Sequence, residues 1–317
     1  MIKRGLVLNP VLGKEFRSRM RTWKSPLVVS VYLGILALIA VGYYWTRQTS
    51  MVYSGFGPDV GPQMYVALAI FQLLLVSFVT PAFTAGVISG ERERQTLDLL
   101  TCTRLSSASI VLNKLLASIS YIVLLIVASL PVFGVVYFFG GVLLQEIGQA
   151  FVVYLMTALT FGAIGVFCSS IFRRTQVSVV VTYIIVFFFL VGTVALGVFL
   201  ANMNMRAGDY SIPTITYLNP VVALCSTFPG QFQGGLPSLF GMFGIGGRYG
   251  RMSGSMADME AGLAPWQYNF IGDGIIVVVL LIITIIIITP VGRFGGIKRL
   301  FRRKKTTETE TDTVDIS

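Results

Sequence analysis

The chain has 317 residues, of which 55% are apolar and only 12% charged, with a formal net charge of +10 and no histidine; its mean hydropathy is +0.79. A soluble core of that size cannot hide so much apolar surface, and the apolar residues come in runs of about twenty or more, long enough to cross a bilayer as a helix. A soluble enzyme, a secreted disulfide scaffold and a DNA-binding domain are thereby excluded.

Residues 1–26 are basic. Within 10–24, Leu12, Phe16, Met20 and Trp23 fall on one face of a helix, and Lys14, Arg17, Arg21 and Lys24 fall within a narrow arc opposite. The pattern predicts a helix lying in the membrane interface with its basic arc toward anionic headgroups. The plainer alternative is a basic flank ahead of the first span.

Six apolar stretches follow at 27–46, 64–88, 110–139, 149–171, 176–201 and 271–290. They predict an all-α, polytopic membrane helix bundle with six transmembrane helices. Pro81 and Pro131 fall inside the second and third stretches and are expected to kink them. A long apolar run with no small-residue cleavage site after it reads as a retained signal anchor. With the N-terminus inside, 20 of the 24 lysines and arginines lie on the cytoplasmic side, leaving Arg47, Arg206, Arg248 and Arg251 outside. That bias places both termini in the cytoplasm and attributes the basic excess to topology and anionic lipid, not to nucleic acid.

Between the second and third spans, residues 89–106 read SGERERQTLDLLTCTRLS. Ser89 can cap a short helix that is charged at its start (Glu91, Arg92, Glu93, Arg94) and apolar at its centre (Leu97, Leu99, Leu100). Three leucines facing cytosol require burial, either against the bilayer or against a partner protein. Residues 202–270 form a large extracytoplasmic segment, too apolar for a linker and too broken by Gly and Pro to span. A partly inserted or re-entrant cap is expected, with a mobile loop as the alternative. Residues 291–317 form a basic and then acidic cytoplasmic tail.

The sequence is poor in chemistry. It has no phosphate-binding loop, no nucleophile elbow and no His-based metal motif. Cys102, Cys168 and Cys225 form no pair with ligand spacing and read as small apolar residues. The spans hold almost no ionisable groups. Lys114 is expected to snorkel from a span end, and Asp273 to cap the outer start of the last span. Gly272-Asp273-Gly274 faintly suggests an aspartyl intramembrane protease, but that chemistry needs a second membrane carboxylate. None occurs in the spans, and Asp98 lies in the cytoplasmic segment. No catalytic or metal-binding residue is assigned, and any energy source must be supplied by another chain.

The run Gly90-Glu91-Arg92-Glu93-Arg94-Gln95-Thr96-Leu97-Asp98-Leu99-Leu100, followed by Thr103-Arg104-Leu105-Ser106, resembles the first cytoplasmic loop of type 2 ABC-transporter permeases. The start Asn9-Pro10-Val11-Leu12, with Lys14-Glu15-Phe16, is similar to the beginning of many such permeases, ahead of an in-plane elbow helix. Six spans with both termini inside fit as well. The sequence departs at Gln95, where the family usually has Gly, and at Arg104, where it usually has Pro; the helix is therefore expected to run straighter through Gln95.

The resemblance implies that 89–106 is a coupling helix docking into a cleft of a separate ATPase subunit. Glu91, Arg92, Glu93, Arg94, Thr96, Leu97, Leu99 and Leu100 would form the docking face, and Lys14, Arg17, Arg21 and Lys24 the membrane-surface contact. It also implies a second permease chain, identical or different, and a place in the cytoplasmic membrane of a prokaryote. ATP and Mg would be bound by the partner, with no cofactor in this chain. The expected function is a permease subunit of an exporter. The alternatives are a scaffold or sensor subunit coupled to an ATPase, or a membrane-embedded enzyme.

Overall fold

A computed structural model describes residues 24–54, 60–96, 107–206, 214–228 and 264–289. These residues are helical throughout, with no strand among them. In order, the helices are α1 (Lys24–Ser54), α2 (Val60–Thr84), α3 (Ser89–Glu93), α4 (Ser107–Ala128), α5 (Leu130–Phe138), α6 (Leu144–Ile171), α7 (Thr175–Phe187), α8 (Thr193–Arg206), α9 (Pro220–Cys225) and α10 (Pro265–Ile288). A π-helical turn, Phe188–Gly192, joins α7 to α8, and a 3-10 turn, Thr214–Leu218, precedes α9.

Six stretches are long and apolar enough to cross a membrane: Pro26–Thr46, Gly61–Glu93, Ser107–Phe138, Leu144–Ile171, Thr175–Gly197 and Pro265–Ile288. In hydrocarbon a helix satisfies its own backbone, so long apolar runs become helices. Their buried hydroxyls follow the same logic: those of Ser77, Thr80, Thr84, Thr157 and Thr182 each donate to the carbonyl one turn back, at 2.7–2.8 Å.

The hub is α6, which packs on α2, α4, α7 and α10. Of its most apolar window 67% is buried, against 11% for the windows of α1 and α7. Glycines on α6 permit the close approach. A Cβ at Gly162 would touch Ile119 and Leu115 of α4 at 3.4 Å, and one at Gly165 would lie 2.9 Å from the Thr84 Cβ and 3.2 Å from the Ala85 nitrogen. Around Tyr65 and Tyr154 the core joins α1, α2, α4, α5, α6 and α9, with the Tyr65 ring edge-on to Phe133 and Phe228.

Three local features differ from the sequence expectation. The third span runs from Ser107 to Phe138, and its interruption falls at the single residue Ser129, two residues ahead of Pro131, which sits in the first turn of α5 where a missing N–H is harmless. The last helix begins at Pro265, with the Gln267 side chain accepting from the Ala264 N–H at 2.9 Å. Asp273 is therefore two turns inside α10 and does not cap it. It is 1% exposed, beside the Thr160 hydroxyl of α6, and its Oδ1 has no hydrogen-bond partner.

Of residues 202–270, the described part packs into the bundle. Leu224 and Phe228 are wholly buried, and α9 lies against α2, α6 and α10. Asn219 organises this region. Its Oδ1 accepts the N–H groups of Val221 (2.8 Å) and Val222 (3.4 Å), capping α9. Its Nδ2 lies 2.6 Å from the Leu190 carbonyl, 3.3 Å from that of Phe189 and 2.6 Å from the Thr193 Oγ1. A π turn leaves helix carbonyls without their usual partner, and the Asn219 amide supplies one.

Candidate docking site

One end of the bundle carries α3, the start of α4 and the short turn from α6 into α7. Of the sequence-predicted docking residues, Glu91, Arg92, Glu93, Arg94 and Thr96 are described here. Leu97, Leu99 and Leu100 lie outside the described residues. So do Lys14, Arg17 and Arg21 of the elbow segment, and Lys24 is the first residue of α1.

Ser89 does not cap α3. A residue distant in sequence does: Ser169, near the end of α6, accepts the N–H groups of Ile88 and Ser89, both at 2.8 Å, and donates to the Ser89 hydroxyl at 3.2 Å. A helix start buried in protein needs such acceptors. Just ahead, the Ser178 hydroxyl of α7 donates to the Ala85 carbonyl at 2.6 Å. Gly86 is close enough to α7 that a Cβ would stand 2.9 Å from the Thr175 Cγ2.

Both acidic side chains of α3 are tied to other elements of the chain, Glu91 from a half-buried position and Glu93 from an exposed one. Glu91 Oε1 pairs with the Lys114 Nζ at 3.1 Å, and Glu91 Oε2 accepts from the Thr96 hydroxyl at 2.6 Å. Lys114 also reaches the Val87 carbonyl at 3.4 Å and is only 5% exposed. It is held across two helices and does not snorkel. Glu93 caps α7: its Oε1 accepts the Thr175 N–H and its Oε2 the Thr175 hydroxyl, each at 2.8 Å. A carboxylate there also meets the positive end of the α7 dipole. Basic groups lie beside them on the same surface. Arg94 is exposed and Arg92 half-buried, and Arg173 and Arg174 of the adjoining turn are exposed.

The helix does not run on through Gln95. It ends at Glu93, and Gln95 takes a left-handed conformation, φ +57°. The Thr96 N–H bonds to the Glu91 carbonyl at 3.0 Å and the Gln95 N–H to that of Arg92 at 3.1 Å. This is the paired bonding of a Schellman turn. Its left-handed position is the one where the resembled family carries glycine, so the turn explains the glycine and Gln95 adopts it without one.

Among the described residues no three His, Cys, Asp or Glu side chains converge as a metal site would require. The arrangement presents a short, rigidly braced helix at the end of a membrane bundle, as in a protein driven from outside the bilayer. Residues 9–305 match the family described as ABC-2 family transporter protein, and the chain belongs to that family. It is therefore a multi-pass membrane subunit of an ABC transporter, a class that works with an ABC ATPase. No curated protein matches the chain.

Proposed function

We infer that the chain is the permease subunit of an exporter in a prokaryotic cytoplasmic membrane, moved by ATP hydrolysis in a separate subunit. Both termini lie in the cytoplasm, on the side of α3, in keeping with the distribution of lysine and arginine. Two permease chains line the path between them.

The observation carrying this reading is α3 itself. It is short, stands at the end of the bundle, and is tied to α4, α6 and α7 by side-chain bonds. Segment 89–106 then serves as the coupling helix. Arg92 and Arg94 meet the ATPase by charge complementarity, and Leu97, Leu99 and Leu100 supply the apolar contact. Thr96, bonded to Glu91, fixes the exit of the helix. The elbow residues Lys14, Arg17, Arg21 and Lys24 rest on anionic lipid.

Purification of the tagged chain in mild detergent tests the reading. The wild type brings down an ATPase, and a variant with Leu97, Leu99 and Leu100 changed to Ser does not. A folded wild-type chain that carries no ATPase defeats it.

A further inference from the structure

Glu93 is exposed, and both of its carboxylate oxygens accept from Thr175. The acceptor end belongs to α3. The donor end, Thr175, is the first residue of α7, and only Phe172, Arg173 and Arg174 separate α7 from α6. Two bonds from one carboxylate to one residue fix direction as well as distance.

The other ties of α3 differ in kind. Ser169 anchors its start to α6, the most buried helix, and Glu91 anchors its first turn to α4 through Lys114. Both are attachments to the packed centre. Glu93 instead joins the far end of α3 to the start of a helix that the bundle covers little. The start of α7 is also tied to the end of α2 by the Ser178 hydroxyl on the Ala85 carbonyl, so Glu93 is the link that runs to α3 itself.

We propose that Glu93 is a positioning residue that passes a displacement of α3 to α7, so that ATP-driven movement of the coupling helix swings the fifth span. The inference rests on the function proposed above. It separates the two acids of α3 from the two arginines: Arg92 and Arg94 serve docking, whereas Glu93 serves transmission and is dispensable for docking.

A purely structural role, capping α7 for stability, makes a different prediction, and Thr175→Pro distinguishes the two. Proline suits the first position of a helix and keeps its start, Arg174 already has the extended backbone that precedes a proline (φ −102°, ψ 127°), and both donors to Glu93 are removed.

The experiment uses the full chain with its ATPase in lipid nanodiscs, with Cys102, Cys168 and Cys225 changed to Ala. Spin labels at Leu155→Cys on α6 and Ile184→Cys on α7 report their separation without nucleotide and after trapping with ATP and vanadate. The wild type and Glu93→Asp show a nucleotide-dependent shift. Glu93→Ala and Thr175→Pro retain the ATPase at wild-type stoichiometry and lose the shift. A wild-type shift in Thr175→Pro reduces Glu93 to a cap and overturns the proposal. Loss of the ATPase from Glu93→Ala overturns it too, making Glu93 a docking contact. A wild-type chain that holds no ATPase refutes the function beneath it, an outcome distinguishable from the other two.

Discussion

Lys114 and Glu91 form an ion pair of 3.1 Å that bridges α4 and α3, with the Lys114 side chain 6% exposed and that of Glu91 31% exposed. A half-sheltered pair costs less to break than a fully buried one but more than a surface pair. Lys114→Met is expected to destabilise the protein by about 2 kcal/mol, because Glu91 is left with only Thr96 as partner. Adding Glu91→Gln should recover part of the loss. Thermal unfolding of both single variants and the double variant in detergent checks this, and strictly additive losses would mean that the two residues are not coupled.

Asn219 caps α9 with one end of its amide and closes the π turn with the other. Asn219→Ala removes a helix cap and leaves buried carbonyls unpaired, for an expected loss of about 3 kcal/mol. Asn219→Asp keeps the cap acceptor but faces the carbonyls of Phe189 and Leu190 with oxygen in place of nitrogen. It should therefore recover little. The unfolding midpoints of the two variants decide the point; an Asp variant as stable as wild type would show that the π turn does not need the donor.

Gly165 lies where α6 meets the end of α2. Gly165→Ala puts a methyl against the Thr84 side chain and the Ala85 nitrogen, and the latter belongs to the backbone and cannot rotate away. Overpacking of this kind costs about 2 kcal/mol. Thr84→Ala introduced together with it removes the Oγ1 contact but leaves the Cβ and the Ala85 nitrogen in place, so it restores only part of the stability, which a comparison of melting curves measures. Gly34 and Gly134 have open space at the corresponding point, so Ala at either should be tolerated in the same assay.

Asp273 has a carboxylate oxygen without a partner in a buried helix interface. Burying an ionisable carboxyl costs more than burying a neutral amide of the same shape. Asp273→Asn, of the same shape but unable to carry charge, is expected to raise stability by about 1 kcal/mol. A lower melting temperature in that variant would mean that the carboxyl is required for packing.

The spans were legible because their signal is local: some twenty apolar residues in a row leave the chain little choice in lipid. Finer points failed where distant residues decide. Ser89 carries a good capping side chain, but Ser169, far along the chain, does the capping. The four charges of Glu91–Arg94 look alike in sequence, and only the tertiary structure shows that Glu91 is tied to Lys114 and Glu93 to Thr175. Asp273 was placed at a helix start because the apolar run begins near 271. The helix in fact starts at Pro265, where Trp266 and Tyr268 continue it through residues a hydropathy reading passes over. Gln95 showed the converse: the turn is dictated by the bonding of Gln95 and Thr96 to the preceding carbonyls, and a non-glycine residue bears the left-handed backbone.

The uneven cover of the helices has an evolutionary consequence. Helix α6 packs against most of the other helices, so a change of size on it needs an answering change elsewhere, and its residues should be exchanged in concert among relatives. The outer faces of α1 and α7 make few contacts within the chain. They can drift among Leu, Val, Ile and Phe freely, and variation in the family should concentrate there.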